Sequence, residues 1–145
     1  MNSFTYDEIY VGQKESVTKT ITKGDFFVFA GLIDDYSPIH VNKEFGEASP
    51  FKQNIAHGFI SGALFSTLVG NNLPGAGALY VSQSLKFKAP VFVGDTITAT
   101  IEVIAKGEKG NIIMKSVAVN QHGTVVVEGE TVAKAAQKKF DVSKY

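Results

Sequence analysis

The chain has 145 residues, 44% of them hydrophobic and 19% charged, the balance of an ordinary globular protein, and we read residues 1–145 as one domain. Its 14 basic and 14 acidic side chains cancel, which argues against broad binding to nucleic acid or to a membrane surface, while a local basic patch could still hold a phosphorylated ligand. There is no cysteine, so disulfides, thiolate nucleophiles and Cys-ligated zinc are excluded.

The opening segment, MNSFTYDEIYVGQKES, is polar and lacks an apolar signal core, and no apolar run approaches the roughly 20 residues of a membrane span. A cytoplasmic location is the expectation. ESVTKTIT, residues 15–22, alternates in part and carries β-branched residues, the pattern of a strand. Thr22 with Asp25 three positions later is an N-cap signal, and Phe26, Phe29, Ala30 and Ile33 recur at helical spacing behind it. That helix is expected to end between Asp34 and Ser37, because Pro38 disfavours α conformation at Ser37. Residues 41–56 have weak periodicity and contain Gly46 and Pro50, so they read as a loop with one helical turn.

HGFISGALFSTLVGNN, residues 57–72, is apolar nearly all round as a helix, which places it inside the protein. Gly58 and Gly62 let other parts of the chain come close to it. In residues 79–93, Val81, Gln83, Leu85 and Phe87 alternate with Ser82, Ser84, Lys86 and Lys88. Residues 96–105, 111–120 and 124–133 are likewise β-branched and bounded by turn chemistry. Four such strands in series with short connections predict an antiparallel meander, and its inner face is the obvious place to bury the apolar helix. The fold class is therefore α+β, a curved antiparallel β-sheet wrapped around a long central helix.

The chemistry-bearing residues fall in two stretches. In GLIDDYSPIH, residues 31–40, Asp34, Asp35 and Ser37 suit a turn at a helix end for purely local hydrogen-bonding reasons. The same stretch can also form an acid/base pair that shares a water, Asp35 with His40. In a continuous helix residues five apart point about 140° away from each other, but the break at Pro38 lifts that constraint. Asp34 and Asp35 are adjacent and diverge, so they do not form a carboxylate dyad. In NIAHGFISG, residues 54–62, His57 reads as a buried group that satisfies nearby backbone. Gly58 sits in the first turn, where its N–H has no helical partner and no side chain shields it, so it can bind an oxygen that becomes negative during reaction. Asp35, His40 and His57 match no metal-ligand signature by spacing. The Gly-x-Gly of LPGAGA lacks the strand-before, helix-after context of a dinucleotide motif, and His122 lies in a predicted hairpin turn. Lys86 and Lys88 read as a solvated face, with contact to the phosphates of a carrier as the second possibility.

With GLIDDYSPIH, AHGF and SLKFKAPVFVGD in place, the sequence resembles the MaoC-like family of (R)-specific enoyl-CoA hydratases, including the short bacterial enzymes that feed polyhydroxyalkanoate synthesis. The resemblance runs from Phe26 through Val103, over half of the chain. It implies the hotdog fold, which agrees with the sheet-and-helix reading. It also implies reversible hydration of trans-2-enoyl-CoA to (R)-3-hydroxyacyl-CoA in a homodimer or dimer-based oligomer, with no metal or redox cofactor. Asp35 and His40 fall on the family's aspartate and histidine and would hold one water between them, and Gly58 falls on the glycine whose N–H receives the thioester oxygen. Three positions depart from the pattern: Asp34 stands for a common glycine, Ser37 for the usual asparagine, and Ala63 for a serine that lines the pocket in some relatives. Ser37 has a shorter reach toward the water, and Ala63 would alter acyl-chain preference. Other readings stay open on the sequence. The substrate thioester could be carried by an acyl-carrier protein, as in a 3-hydroxyacyl dehydratase. The chain could also be a thioesterase, or a non-catalytic acyl-binding module.

Overall fold

The computed structural model describes residues 1–144. Strand β1 (Lys14–Thr20) leads into helix α1 (Lys23–Ile33), which the capping signal starts as expected: Thr22 Oγ1 accepts from the Asp25 N–H, and Asp25 accepts in return from the Thr22 N–H at 2.8 Å. A short helix, α2 (Pro38–Val41), precedes the stretch expected to be a loop with one helical turn, and that stretch itself holds one short helix, α3 (Lys43–Ala48). The signals lie in single residues, which a search for periodicity passes over. Pro38 takes the first position of α2, where its missing N–H costs nothing, and Asn42 caps α3 by accepting from the Phe45 N–H at 2.9 Å.

The apolar segment forms α4 (Gly58–Asn71). Beyond it lie β2 (Leu79–Gln83), β3 (Lys86–Phe87), β4 (Thr96–Lys106), β5 (Asn111–Val119) and β6 (Val125–Lys134). These strands and β1 make one six-stranded sheet in the order β1-β4-β5-β6-β2, with β3 also paired to β6 and every pairing antiparallel. The meander therefore holds for β4, β5 and β6 but not for the strand before them. Residues 79–93 break into two strands that both lie along β6, and the chain then crosses to start β4 on the far side.

Period-two burial sets the faces. In β4, Ile97, Ala99, Ile101 and Val103 point inward, while Thr96, Thr98 and Thr100 pair hydroxyls with Thr20, Thr18 and Ser16 of β1 on the outer face. The inward residues pack on Phe65, Leu68 and Val69 of α4, with Phe26 of α1 in the same core. Gly58 and Gly62 of α4 make room for the side chains of Phe87 and Leu85 beside them. A Cβ on Gly58 would stand 2.6 Å from the Phe87 ring, and one on Gly62 would stand 2.8 Å from Leu85. The helix is not enclosed on every side, as its composition had suggested. Phe59, Ala63, Ser66 and Gly70 form an exposed stripe along it.

Candidate active site

The site forms where α1 ends and α4 begins. Asp34 closes α1 in the left-handed conformation (φ 59°, ψ 30°), and both its N–H and that of Asp35 donate to the Ala30 carbonyl. That conformation explains why a glycine suits the position, and aspartate is among the few other residues that adopt it at modest cost. The turn then folds back on Asp35, whose Oδ1 accepts the Ser37 N–H at 3.0 Å. Ser37 thus orients the carboxylate through its backbone. Its side chain is exposed and makes no hydrogen bond among the described residues.

His40 is delivered by α2 and is held through Nδ1, 2.7 Å from the Ile55 carbonyl. A carbonyl only accepts, so Nδ1 carries the hydrogen, and Nε2 of the neutral ring is left with a free lone pair. His57, 3% exposed, sends Nε2 to the Asp35 carbonyl at 2.9 Å and lies 3.7 Å from the Asp35 carboxylate. Its ring stacks on His40 with centroids 3.8 Å apart, and Phe29 packs against it at 5.3 Å. His57 is therefore the backbone-satisfying residue its position predicts. It also ties the Asp35 turn to the start of α4. Its Nδ1 is buried without a partner among the described residues.

One donor atom from each of Asp35, His40 and His57 lies within 4.8 Å of the others. Groups gathered that closely can share one water, since two hydrogen bonds of about 2.8 Å meeting at a tetrahedral angle span roughly 4.6 Å. As a metal set the trio is poorly disposed. The His57 nitrogen that faces Asp35 carries a hydrogen donated to the Asp35 carbonyl, and stacked rings aim their lone pairs side by side instead of at one point.

Gly58 is the first residue of α4, so its N–H has no acceptor within the helix, and the helix dipole adds to its pull on negative charge. It opens into a cavity of about 370 Å³ lined by His40, Phe51, Ile55, Phe59, Ser61, Phe87, Lys88 and Val126, among others. Asp35 does not line that cavity. It stands beside His40 and is 46% exposed, open to solvent from its own side. Ala63 is not part of this site. It lies on the exposed stripe of α4 and lines a separate cleft of about 200 Å³ with Val28, Leu32 and Thr67. Lys88 reaches the rim, where its ammonium is 3.6 Å from Glu128. The Ile55 carbonyl that fixes the His40 tautomer carries no sequence signal. Ser61 does carry one, as a hydroxyl in an otherwise apolar stretch.

A family model described as "MaoC like domain" matches residues 8–138. The chain belongs to the MaoC-like family. It is 44% identical over 125 residues to an (R)-specific enoyl-CoA hydratase from Rhodospirillum rubrum, covering 86% of this chain and 87% of that protein. Another (R)-specific enoyl-CoA hydratase, from Aeromonas caviae, is 41% identical over 125 residues, with 86% of this chain and 93% of the other covered. Among solved structures, the unliganded R-hydratase PhaJ1 from Pseudomonas aeruginosa superimposes with a TM-score of 0.91 at 37% identity over 95% of this chain and 89% of that one. The sheet and central helix described above are the hotdog fold of these MaoC-like hydratases.

Proposed function

We propose that this MaoC-like protein is an (R)-specific enoyl-CoA hydratase, a hydro-lyase that adds water reversibly to trans-2-enoyl-CoA to give (R)-3-hydroxyacyl-CoA. The observation that carries the reading is the Asp35–His40 pair, close enough to share one water, beside the Gly58 N–H that has no acceptor in its helix. In this scheme the Asp35 carboxylate accepts one O–H of the water and His40 Nε2 accepts the other. As the oxygen attacks C3, His40 takes the proton and delivers it to C2 on the same face. Negative charge collects meanwhile on the thioester oxygen, where the Gly58 N–H and the α4 dipole stabilise it.

The scheme uses no metal and no redox cofactor, and CoA enters only as part of the substrate. A homodimer or dimer-based oligomer is part of the proposal: Val28, Leu32 and Phe59 are 72, 77 and 59% exposed, an apolar surface of the kind that marks a protein–protein contact. None of the described helices is long and apolar enough to cross a membrane. We place the protein in the cytoplasm, with the short-chain acyl-CoA pools of polyhydroxyalkanoate or fatty-acid metabolism as its setting.

The test is the loss of enoyl absorbance when purified protein meets crotonyl-CoA. Asp35→Asn and His40→Gln are each expected to lower kcat/KM by about 10²- to 10⁴-fold, the usual worth of a positioned acid or base. Wild-type rate in either variant sinks the mechanism. Matched CoA and acyl-carrier-protein thioesters then separate hydratase from carrier-protein dehydratase.

A further inference from the structure

His57 is a buried titratable side chain with no part in the hydration scheme, 3% exposed and absent from the walls of the cavity that joins His40 and Gly58. Its Nε2 lies 2.9 Å from the Asp35 carbonyl, which only accepts, so Nε2 carries the hydrogen. The neutral ring then leaves a lone pair on Nδ1, buried and with no partner among the described residues. Buried polar atoms are nearly always paired, and an orphan in a folded protein calls for a reason.

Packing alone does not supply one. Phenylalanine would fill a place beside Phe29 without orphaning a polar atom, and an amide side chain would donate to the Asp35 carbonyl without a ring. Imidazole presents a flat face and a donor edge from one small ring, and both are used here. The face lies on His40, with centroids 3.8 Å and planes 27° apart, and the edge meets Asp35. The two groups that share the water are thus held against one rigid body. The Asp35 carboxylate needs such a hold, being 46% exposed. Its Oδ1 accepts the Ser37 N–H at 3.0 Å, and its Oδ2 faces the His57 Nε2–H at 3.7 Å, close enough for the hydrogen to favour the negative charge there.

We propose that His57 is a positioning residue for the hydration step: it sets the separation and the facing of Asp35 and His40, and its unpaired Nδ1 is the stability given up for that. The inference rests on the hydratase reading and deepens it. His57 acts through the pair and does not line the substrate cavity, so its removal bears on kcat and leaves KM alone. A misplacement of about 1 Å between reacting groups costs about 10²-fold in rate.

The experiment compares wild type, His57→Phe, His57→Gln and His57→Asn on crotonyl-CoA, with kcat taken per folded molecule. Phe keeps the flat face and removes the donor. Gln carries an amide nitrogen with the reach of Nε2, whereas Asn carries one with the reach of Nδ1. Phe and Asn should each lower kcat about 10²-fold with KM near wild type, and Gln should regain about tenfold of that loss. Wild-type kcat in Phe overturns the inference, and so does a loss that falls on KM, or a Gln variant no faster than Asn. The Gln–Asn pair decides the matter if Phe does not fold. A second readout needs no turnover: two-bond 1H–15N spectra of the wild type report which ring nitrogen carries the hydrogen, and His57 should show Nε2–H and a bare Nδ1. A hydrogen on Nδ1 alone takes away the bond to Asp35 and overturns the inference as well. A wild type that does not hydrate crotonyl-CoA removes the hydratase reading, and the spectrum still upholds or removes the hold of His57 on Asp35.

Discussion

The two halves of α4 are made of similar residues and end up with different roles. In the second half, Leu64, Phe65, Leu68 and Val69 are all buried against the sheet, and at about 1.5–3 kcal/mol for each large apolar side chain they hold the helix in place. In the first turn Gly58 and Phe59 are exposed, the Gly58 N–H lacks a helical acceptor, and His57 bridges back to the Asp35 turn. Glycine at positions 58 and 62 costs about 1 kcal/mol each in helix propensity, a loss that the buried half outweighs several times over. The difference teaches that the donor at Gly58 is fixed by packing elsewhere: the apolar half provides the rigidity and the bare half provides the chemistry.

Two substitutions test that division, and the larger effect comes from the buried half. Leu68→Ala empties a fully buried position and should lower stability by about 3 kcal/mol in a denaturant titration, while kcat per folded molecule stays near wild type. A kcat that falls in step with stability would show that the halves are not separable. Gly58→Ala should behave in the opposite way. The new methyl gains up to about 1 kcal/mol of helix propensity but meets the Phe87 ring at 2.6 Å, an overpacking cost of about 1–3 kcal/mol that the half-exposed ring reduces by moving aside. Net stability is then expected to shift by less than about 1 kcal/mol, whereas kcat/KM should drop by at least tenfold as methyl and ring crowd the N–H. A Gly58→Ala protein with undiminished kcat/KM would mean that the donor lies elsewhere.

The same division governs what can be read from the sequence. The strands of the sheet are legible because burial imposes period two on Ile97, Ala99, Ile101 and Val103, and α4 because its apolar run is long. The order of β2 is not legible. Residues 79–93 alternate correctly, but alternation says which face is buried and not which neighbour is paired. In the site, residue type and the break at Pro38 make Asp35, His40 and Gly58 candidates, and the family resemblance assigns them their roles. The contacts that make them a site are not. The Ile55 carbonyl that sets the His40 tautomer and the His40–His57 stack depend on long-range packing of side chains. Ala63 fails for a related reason: its resemblance to a pocket residue is positional, and in this helix that position faces away from the His40 cavity.

The smallest effect is expected at the far end of α1, which anchors the helix whose other end carries Asp35. The Thr22 backbone N–H, helped by the Thr22 hydroxyl and by Lys19 at 3.1 Å, holds the Asp25 carboxyl below its ordinary value of 3.8. A carboxylate whose pKa is depressed on folding stabilises the fold fully above its unfolded value and loses that contribution as pH falls through the depressed one. Thr22→Ala removes the cap and should cost about 1 kcal/mol at neutral pH. Asp25→Asn should cost less than about 1 kcal/mol there, since the pair with Lys19 is partly exposed, and the gap between Asn and wild type should close as the medium is taken below pH 3.8. Urea titrations at several acidic pH values would measure it. A gap that persists in acid would assign the effect to packing instead of charge. Because the cap lies a full helix away from Asp35, both variants should keep wild-type kcat. Loss of activity in either would mean that α1 transmits its N-terminal geometry to the catalytic turn, and that the rigidity of the site does not come from α4 alone.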